Sequence, residues 1–293
     1  MDEDNLRQRA IALHDRFTHE GMGRRAFFAE LSRIAGGAAA ANVLLAGIAA
    51  DPAAAAIVAP DDPGIAASRV RWKVTPGRML AGYRAAPKGA AGPLPLVMVI
   101  HENRGLNPHI EDIARRLALA GFIALAPDFL SAQGGTPKDE DKARGLISLL
   151  DLDRTTADAV ATVAMLGKDK TGNGKVGAIG FCWGGALTDR VAISAGTSLT
   201  AAVPYYGPAP DPSEAAKVKA AMLLHFAGLD DRVNATGRPW VEALRAAHVH
   251  YESYLYPNVN HAFNNDTAAD RYNADAAQLA WERTIRFLKT QLA

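Results

Sequence analysis

One cysteine stands among the 293 residues, inside Gly180-Phe181-Cys182-Trp183-Gly184-Gly185. A thiol is mostly protonated near neutral pH, so Cys182 becomes a nucleophile only where a base or a local dipole helps it. Candidates for the remaining parts follow it in the chain. Gly228-Leu229-Asp230-Asp231 ends an apolar run with two acids, and Asn260-His261-Ala262-Phe263 brings a histidine after an alternating run. Nucleophile, acid, histidine is an order that serves acyl transfer, in which the histidine takes the nucleophile's proton and the acid orients the histidine. Asp230 and Asp231 are both placed to be that acid. Of the eight histidines, His261 alone follows the cysteine and the acid loop at the end of a strand. His248 and His250 flank the start of that strand as surface or edge residues. His225 lies within an apolar strand and reads as a core residue.

These groups must be held by a scaffold, and the flanking sequence describes one. Lys175-Val176-Gly177-Ala178-Ile179 is a short apolar run that reads as a buried strand, and Gly185 to Ala192 reads as a helix. A strand, then Gly-x-nucleophile-x-Gly, then a helix is the nucleophile elbow of the α/β-hydrolase fold, with cysteine where serine is usual. Gly180 and Gly184 leave room for strand and helix to approach each other. The helix N-terminus aims N–H groups and partial positive charge at the nucleophile, which favours thiolate.

Four stretches resemble the dienelactone hydrolases (carboxymethylenebutenolidases). They are Val97 to Asn107, containing Ile100-His101-Glu102-Asn103-Arg104-Gly105; Gly121 to Phe129; the Cys182 elbow; and the pair Gly228-Leu229-Asp230 with His261-Ala262-Phe263. The resemblance spans roughly Ser68 to Ala293 and implies ester or lactone hydrolysis. It implies Cys182 as nucleophile, His261 as general base and acid, and Asp230 as its orienter. It also implies that Glu102 contacts the resting thiol and swings away when substrate binds. Backbone N–H groups of Trp183 and Asn103 are the expected oxyanion hole. The family holds a substrate carboxylate with arginines, one of them four residues after the histidine, where this chain has Asn265. Arg104 and Arg144 are candidate replacements, while Arg271 reads as part of the start of the C-terminal helix. A neutral ester or lactone is therefore the expected substrate. Tyr206 and Phe263, with Phe129 and Trp183, are expected to line an apolar substrate pocket.

The rest of the chain supports one α/β catalytic domain over residues 68–293. Strands at Val70 to Val74, Met79 to Ala85, Leu96 to Ile100, Phe122 to Ala126, Ala201 to Tyr205, Ala221 to Phe226 and Tyr251 to Tyr256 alternate with helices. The helices are expected at Ile110 to Ala120, Lys138 to Leu150, Thr155 to Gly167, Pro239 to Ala247 and Tyr272 to Leu292. That alternation implies a mostly parallel sheet covered on both faces. A 49% hydrophobic and 22% charged composition permits a sizeable core, and a net charge of +1 gives no reason to expect nucleic acid or an anionic membrane as partner. A lone cysteine excludes an intramolecular disulfide and a thiolate metal cluster, and no metal or nucleotide motif calls for a cofactor. The competing reading is a ligand-binding or thiol redox-sensing protein, but a sensor usually carries a resolving cysteine and has no use for His261 and Asp230.

Residues 1–67 are a different kind of sequence. Gly23-Arg24-Arg25-Ala26-Phe27-Phe28 precedes an uncharged run from Ile34 to Ala50 and a small-residue site at Ala53-Ala54-Ala55. This pattern reads as a leader for the twin-arginine (Tat) export machinery, hence a periplasmic address. The run is too weakly apolar for a membrane span. In the alternative the leader is retained in the cytoplasm as a helix packed on the domain or on a partner chain. The sequence leaves the oligomeric state open.

Overall fold

The apolar runs assemble into one eight-stranded sheet in a computed structural model that describes residues 3–48 and 57–293. The strands are β1 (Ile65–Thr75), β2 (Arg78–Pro87), β3 (Leu94–Ile100), β4 (Ile123–Asp128), β5 (Gly172–Phe181), β6 (Ala201–Tyr205), β7 (Ala221–Ala227) and β8 (Tyr251–Tyr256). Their order is β1-β2-β4-β3-β5-β6-β7-β8. Pairings made by β2 are antiparallel and all others are parallel. β4, β6 and β7 are buried along their whole length, as strands covered on both faces must be.

The helices α1 (Glu3–His19), α2 (Arg24–Ala35) and α3 (Ala38–Ile48) precede the sheet, and those after the first strands are α4 (Pro108–Leu119), α5 (Glu140–Ser148), α6 (Leu152–Leu166), α7 (Trp183–Ser194), α8 (Asp231–Ala246) and α9 (Ala274–Leu292). One face of the sheet buries Ile113 and Leu117 of α4 with Phe287 and Leu288 of α9. The other buries Val163 of α6, Val191 of α7 and Trp240 of α8. From β4 through β3 to β5 the strand order reverses, so the carboxyl ends of β3 and β5 form the crevice where open α/β sheets place functional groups. Glu102 follows β3 and Cys182 follows β5, with Ile100 paired to Gly180 in register.

Helix α8 starts eight residues before the expected position at Pro239. Asp230 caps it, its side chain accepting from the Val233 amide at 3.2 Å, and Pro239 lies inside the helix. Proline reads as a helix opener because its missing N–H costs nothing in the first turn; here the cap upstream outweighs that cue. Among the described residues β1 and β8 are the edge strands of the sheet. β1 carries Arg69, Arg71 and Lys73 along its outer length; on β8 the Glu252 carboxylate accepts from Arg286 at 3.0 Å, and Arg283 stacks 3.8 Å over the Tyr254 ring.

The N-terminal residues form α1 (Glu3–His19), α2 (Arg24–Ala35) and α3 (Ala38–Ile48), packed on the sheet domain. The uncharged run breaks at Gly36 and Gly37, where α2 and α3 meet at 105°, and among the described residues no single helix is long and apolar enough to cross a membrane. Arg24 opens α2 and ion-pairs with Asp141 at 3.1 Å. The Ala53-Ala54-Ala55 site lies outside the described residues. The sheet domain also reaches further back than residue 68: β1 begins at Ile65, and Val58 is buried, its amide donating to Asp112 at 2.7 Å.

Candidate active site

Cys182 occupies the one-residue turn between β5 and α7 with φ 55° and ψ −114°, a conformation that costs a non-glycine residue strain. The turn is fixed from both sides, by the Cys182 amide to the Tyr205 carbonyl at 3.0 Å and the Ala186 amide to the Cys182 carbonyl at 3.1 Å. A Cβ at Gly180 would collide with the Gly184 carbonyl and Thr188, and one at Gly184 with the carbonyls of Ile100 and His101. The glycine frame is thus a packing requirement of the helix against β3.

His261 lies in the loop after β8, buried, with Nδ1 2.6 Å from Oδ2 of Asp230. Its ring also interacts with the Cys182 side chain. Burial alone would lower the His261 pKa, but the Cys182 sulfur and the Asp230 carboxylate outweigh it and push it up to about 10. Burial likewise opposes ionisation of Asp230, and the His261 hydrogen bond and charge, with Arg232 and the Val233 amide, still hold it below the usual carboxylate range. The three side chains therefore lie in a line that favours the protonated form of His261. Asp231, the alternative acid, is the exposed first residue of α8. His225 is buried between Tyr256 at 2.9 Å and Thr284 at 3.0 Å; burial, then Arg283, lowers it to about 3, a neutral core histidine as read. His248 and His250 are exposed.

Glu102 is buried and lines the same small cavity as Cys182, His261, Asn103, Arg104, Asn265 and Arg271. Its carboxylate accepts from Asn265 Nδ2 at 2.7 Å and from the Tyr206 hydroxyl at 3.5 Å. Asn265, at the position where the family places an arginine, is thus spent on Glu102. Beneath it His101 is wholly buried: Nδ1 meets the Glu102 carbonyl at 2.8 Å and Nε2 receives the Phe129 amide at 3.3 Å. Carbonyl oxygen only accepts, so Nδ1 carries the proton, and burial lowers the His101 pKa in keeping with a neutral ring. The indole of Trp183 stacks on His101 with centroids 5.2 Å apart, leaving its backbone N–H at the first position of α7 next to Cys182.

Several expected substrate contacts lie elsewhere. Phe263 is wholly buried against Tyr206 and Tyr256, and Tyr206 is wholly buried behind Glu102, so both are core rather than pocket wall. Burial raises the Tyr206 pKa well above normal, and the neighbouring Glu102 and Cys182 add to it, so the hydroxyl stays a donor. Arg104 does reach the cavity, ion-paired to Glu140. Arg144 instead lies 3.9 Å over the Phe17 ring of α1. Arg271 is not part of α9, which Asn273 caps; it is buried in the cavity wall, donating to the Ile48 carbonyl at 2.9 Å. Sequence reasoning also passed over His14 and Thr18 of α1, which complete that wall. Nothing local marks them, because they reach the site only through the packing of a segment more than 160 residues upstream of Cys182. Among the described residues no three His, Cys, Asp or Glu side chains are grouped to hold a metal ion.

Comparison with known proteins agrees with this geometry. The sequence profile of the dienelactone hydrolase family matches residues 80–292. A protein of Escherichia coli strain K12, provisionally named a carboxymethylenebutenolidase, is 33% identical over 82% of this chain and 93% of its own. One of the same provisional name from Methylorubrum extorquens is 32% identical over 79% of this chain and 83% of its own. Among solved structures, one described provisionally as a dienelactone hydrolase from Klebsiella pneumoniae superposes with a TM-score of 0.67 at 30% identity, covering 76% of this chain and 99% of its own. A dienelactone hydrolase-like promiscuous phosphotriesterase from metagenomic libraries gives 0.69 at 27% identity, over 78% and 100%. With its sheet order, its cysteine elbow and these relatives in agreement, the chain belongs to the dienelactone hydrolase family and is an α/β-fold hydrolase of that type.

Proposed function

We propose that the protein hydrolyses a carboxylic ester or lactone through Cys182, His261 and Asp230. The observation that carries this reading is the buried line from Cys182 to His261 to Asp230, with His261 raised to about 10. The Cys182 sulfur attacks the carbonyl carbon, and the carbonyl electrons move to oxygen, where the N–H groups of Trp183 and Asn103 receive the charge. Collapse expels the alkoxide, which takes its proton from His261, and leaves a thioester. His261 then deprotonates water, which attacks the thioester and releases the acid and the thiolate. Asp230 holds the histidine's orientation throughout. Glu102 places a second carboxylate in the cavity, so an incoming substrate must share or displace its bonds to Asn265 and Tyr206.

The test is covalent trapping. On mixing with a p-nitrophenyl ester, intact mass should show one acyl group on the wild-type chain and none on Cys182→Ala; an unlabelled wild type that still turns over would remove Cys182 from the chemistry. Asp230→Asn should cost on the order of 10²- to 10⁴-fold in kcat/KM by leaving His261 without its anionic partner. Asp231→Asn should cost under about twofold, since an exposed helix-start carboxylate touches none of the reacting groups. Equal losses would contradict the assignment of the acid.

Substrate charge follows from the same cavity. Asn265 is bound to Glu102, Arg104 is neutralised by Glu140, and Arg271 faces an N-terminal carbonyl. A substrate carboxylate would find no unengaged cation there and would meet the Glu102 charge. A lactone whose side carboxylate is masked as its methyl ester should have its lactone bond hydrolysed about tenfold or more faster, in kcat/KM, than the same lactone with the carboxylate free, the worth of one charge-assisted bond. Preference for the free carboxylate would mean that Arg104 or Arg271 changes partner on binding.

A further inference from the structure

The N-terminal helices are self-sufficient in their apolar packing. Ile11, Leu13, Phe27, Leu31 and Ile48 bury one another in a core of their own, while among the described residues the two cores flanking the sheet draw on none before Val58. What fastens the helices to the domain is a set of polar contacts. Arg24 pairs with Asp141 at 3.1 Å, Arg144 donates to the Phe17 carbonyl at 3.3 Å while stacking on its ring, Arg271 donates to the Ile48 carbonyl at 2.9 Å, and the Asp270 amide donates to the Gly47 carbonyl at 2.8 Å. Of these, the Arg24–Asp141 ion pair is exposed and therefore weak, and the others are single hydrogen bonds to main-chain carbonyls, that of Arg271 buried. A unit with its own core and a polar seam can leave without exposing a large apolar surface on either side.

The seam is also placed over the reaction centre. His14 and Thr18 of α1 narrow a cleft whose other walls are Glu102, Asn103, Arg104, Cys182, His261, Ala262, Asn265 and Arg271, and the space left in it is about 20 Å³. That volume holds about one water and no ester. We propose that α1–α3 is an intramolecular plug of the active site: seated, it slows the entry of substrate, and its release or removal opens the mouth at Cys182. The inference rests on the reading of Cys182 as the reacting group, but its test does not require turnover.

Cys182 is the sole thiol, so its alkylation by iodoacetamide reports access to the site directly, by intact mass. Three proteins are compared: the full chain, the full chain carrying Asp141→Lys with Arg144→Ala, and a chain beginning at Ile57. The last is expected to fold, because solved relatives complete over 99–100% of their own length match only 76–78% of this chain. Alkylation should be at least tenfold faster in the shortened chain than in the full one, and about threefold faster or more in the latch variant. Hydrolysis of p-nitrophenyl acetate should rise in the same order. Equal alkylation rates in the full chain and the latch variant, with the shortened chain equal or unfolded, would overturn the plug. Faster alkylation without hydrolysis in any of the three would uphold the plug and overturn the hydrolase reading instead.

Discussion

Cys182→Ala is expected to lose hydrolysis by about 10⁴-fold or more in kcat/KM, His261→Ala by a similar factor, and the double variant by little more than either. The reason is the geometry of the line: the His261 ring bridges Cys182 and Asp230, so removing any end of the bridge removes the function of the rest. The fold should survive, since alanine fills the φ 55° turn no worse than cysteine does and the two amide bonds that hold the turn are main-chain. Steady-state kinetics with one activated ester, alongside thermal melts of all three variants, make the check. Additive losses would show that the two side chains act separately, and a variant keeping a tenth of the activity would dismiss its residue from the mechanism.

Asp189→Asn is expected to stabilise the protein by a few kcal/mol at pH 8, with a gain that grows steadily from pH 5. Asp189 is wholly buried in α7, its Oδ1 accepting from the Trp240 indole at 3.1 Å. Burial lifts its pKa from 3.8 to about 8, with the Trp240 bond opposing only in part. Because the folded value is the higher one, the group's contribution to stability is complete below about pH 4 and drains away as the pH climbs to about 8. Each unit of difference is worth about 1.4 kcal/mol, so the ceiling is on the order of 5 kcal/mol. Asparagine is neutral throughout and keeps the acceptor for Trp240. Urea midpoints at pH 5 and pH 8 decide it, and a variant whose advantage does not change with pH would show that Asp189 is ionised in the native state.

The parts of the site that were legible in the sequence are those fixed by local backbone. The elbow announces itself because Gly180 and Gly184 are demanded by contacts within one turn of Cys182, and the strand-loop order then locates His261. Asp230 and Asp231 stay equivalent on paper, since which of two adjacent acids caps a helix depends on where the chain turns, and Pro239 drew the expected start of α8 too far downstream. Asn265 and Glu102 are 163 residues apart, so their bond has no signature in either neighbourhood. Phe263 and Tyr206 read as pocket aromatics because an apolar ring near a catalytic loop looks the same whether it faces substrate or core. The placement of α1 over the mouth was beyond reach for the same reason, although a helix packed on the domain was one of the two readings of that segment.

The edge strands of the sheet carry a consequence for how this protein survives at high concentration. A net charge of +1 supplies almost no long-range repulsion between copies, so collisions are frequent and unopposed. Each collision can present β8 or β1, with their outward N–H and C=O groups, to the same edge of a neighbour. Leu255, 55% exposed on β8, adds an apolar foothold. Glu252, Arg283 and Arg286 on one side and Arg69, Arg71 and Lys73 on the other must be stripped of water before a new strand can dock, and that local dehydration cost guards the sheet where global charge cannot. The charged side chains beside β1 and β8 thus oppose edge-to-edge pairing where the small net charge does not.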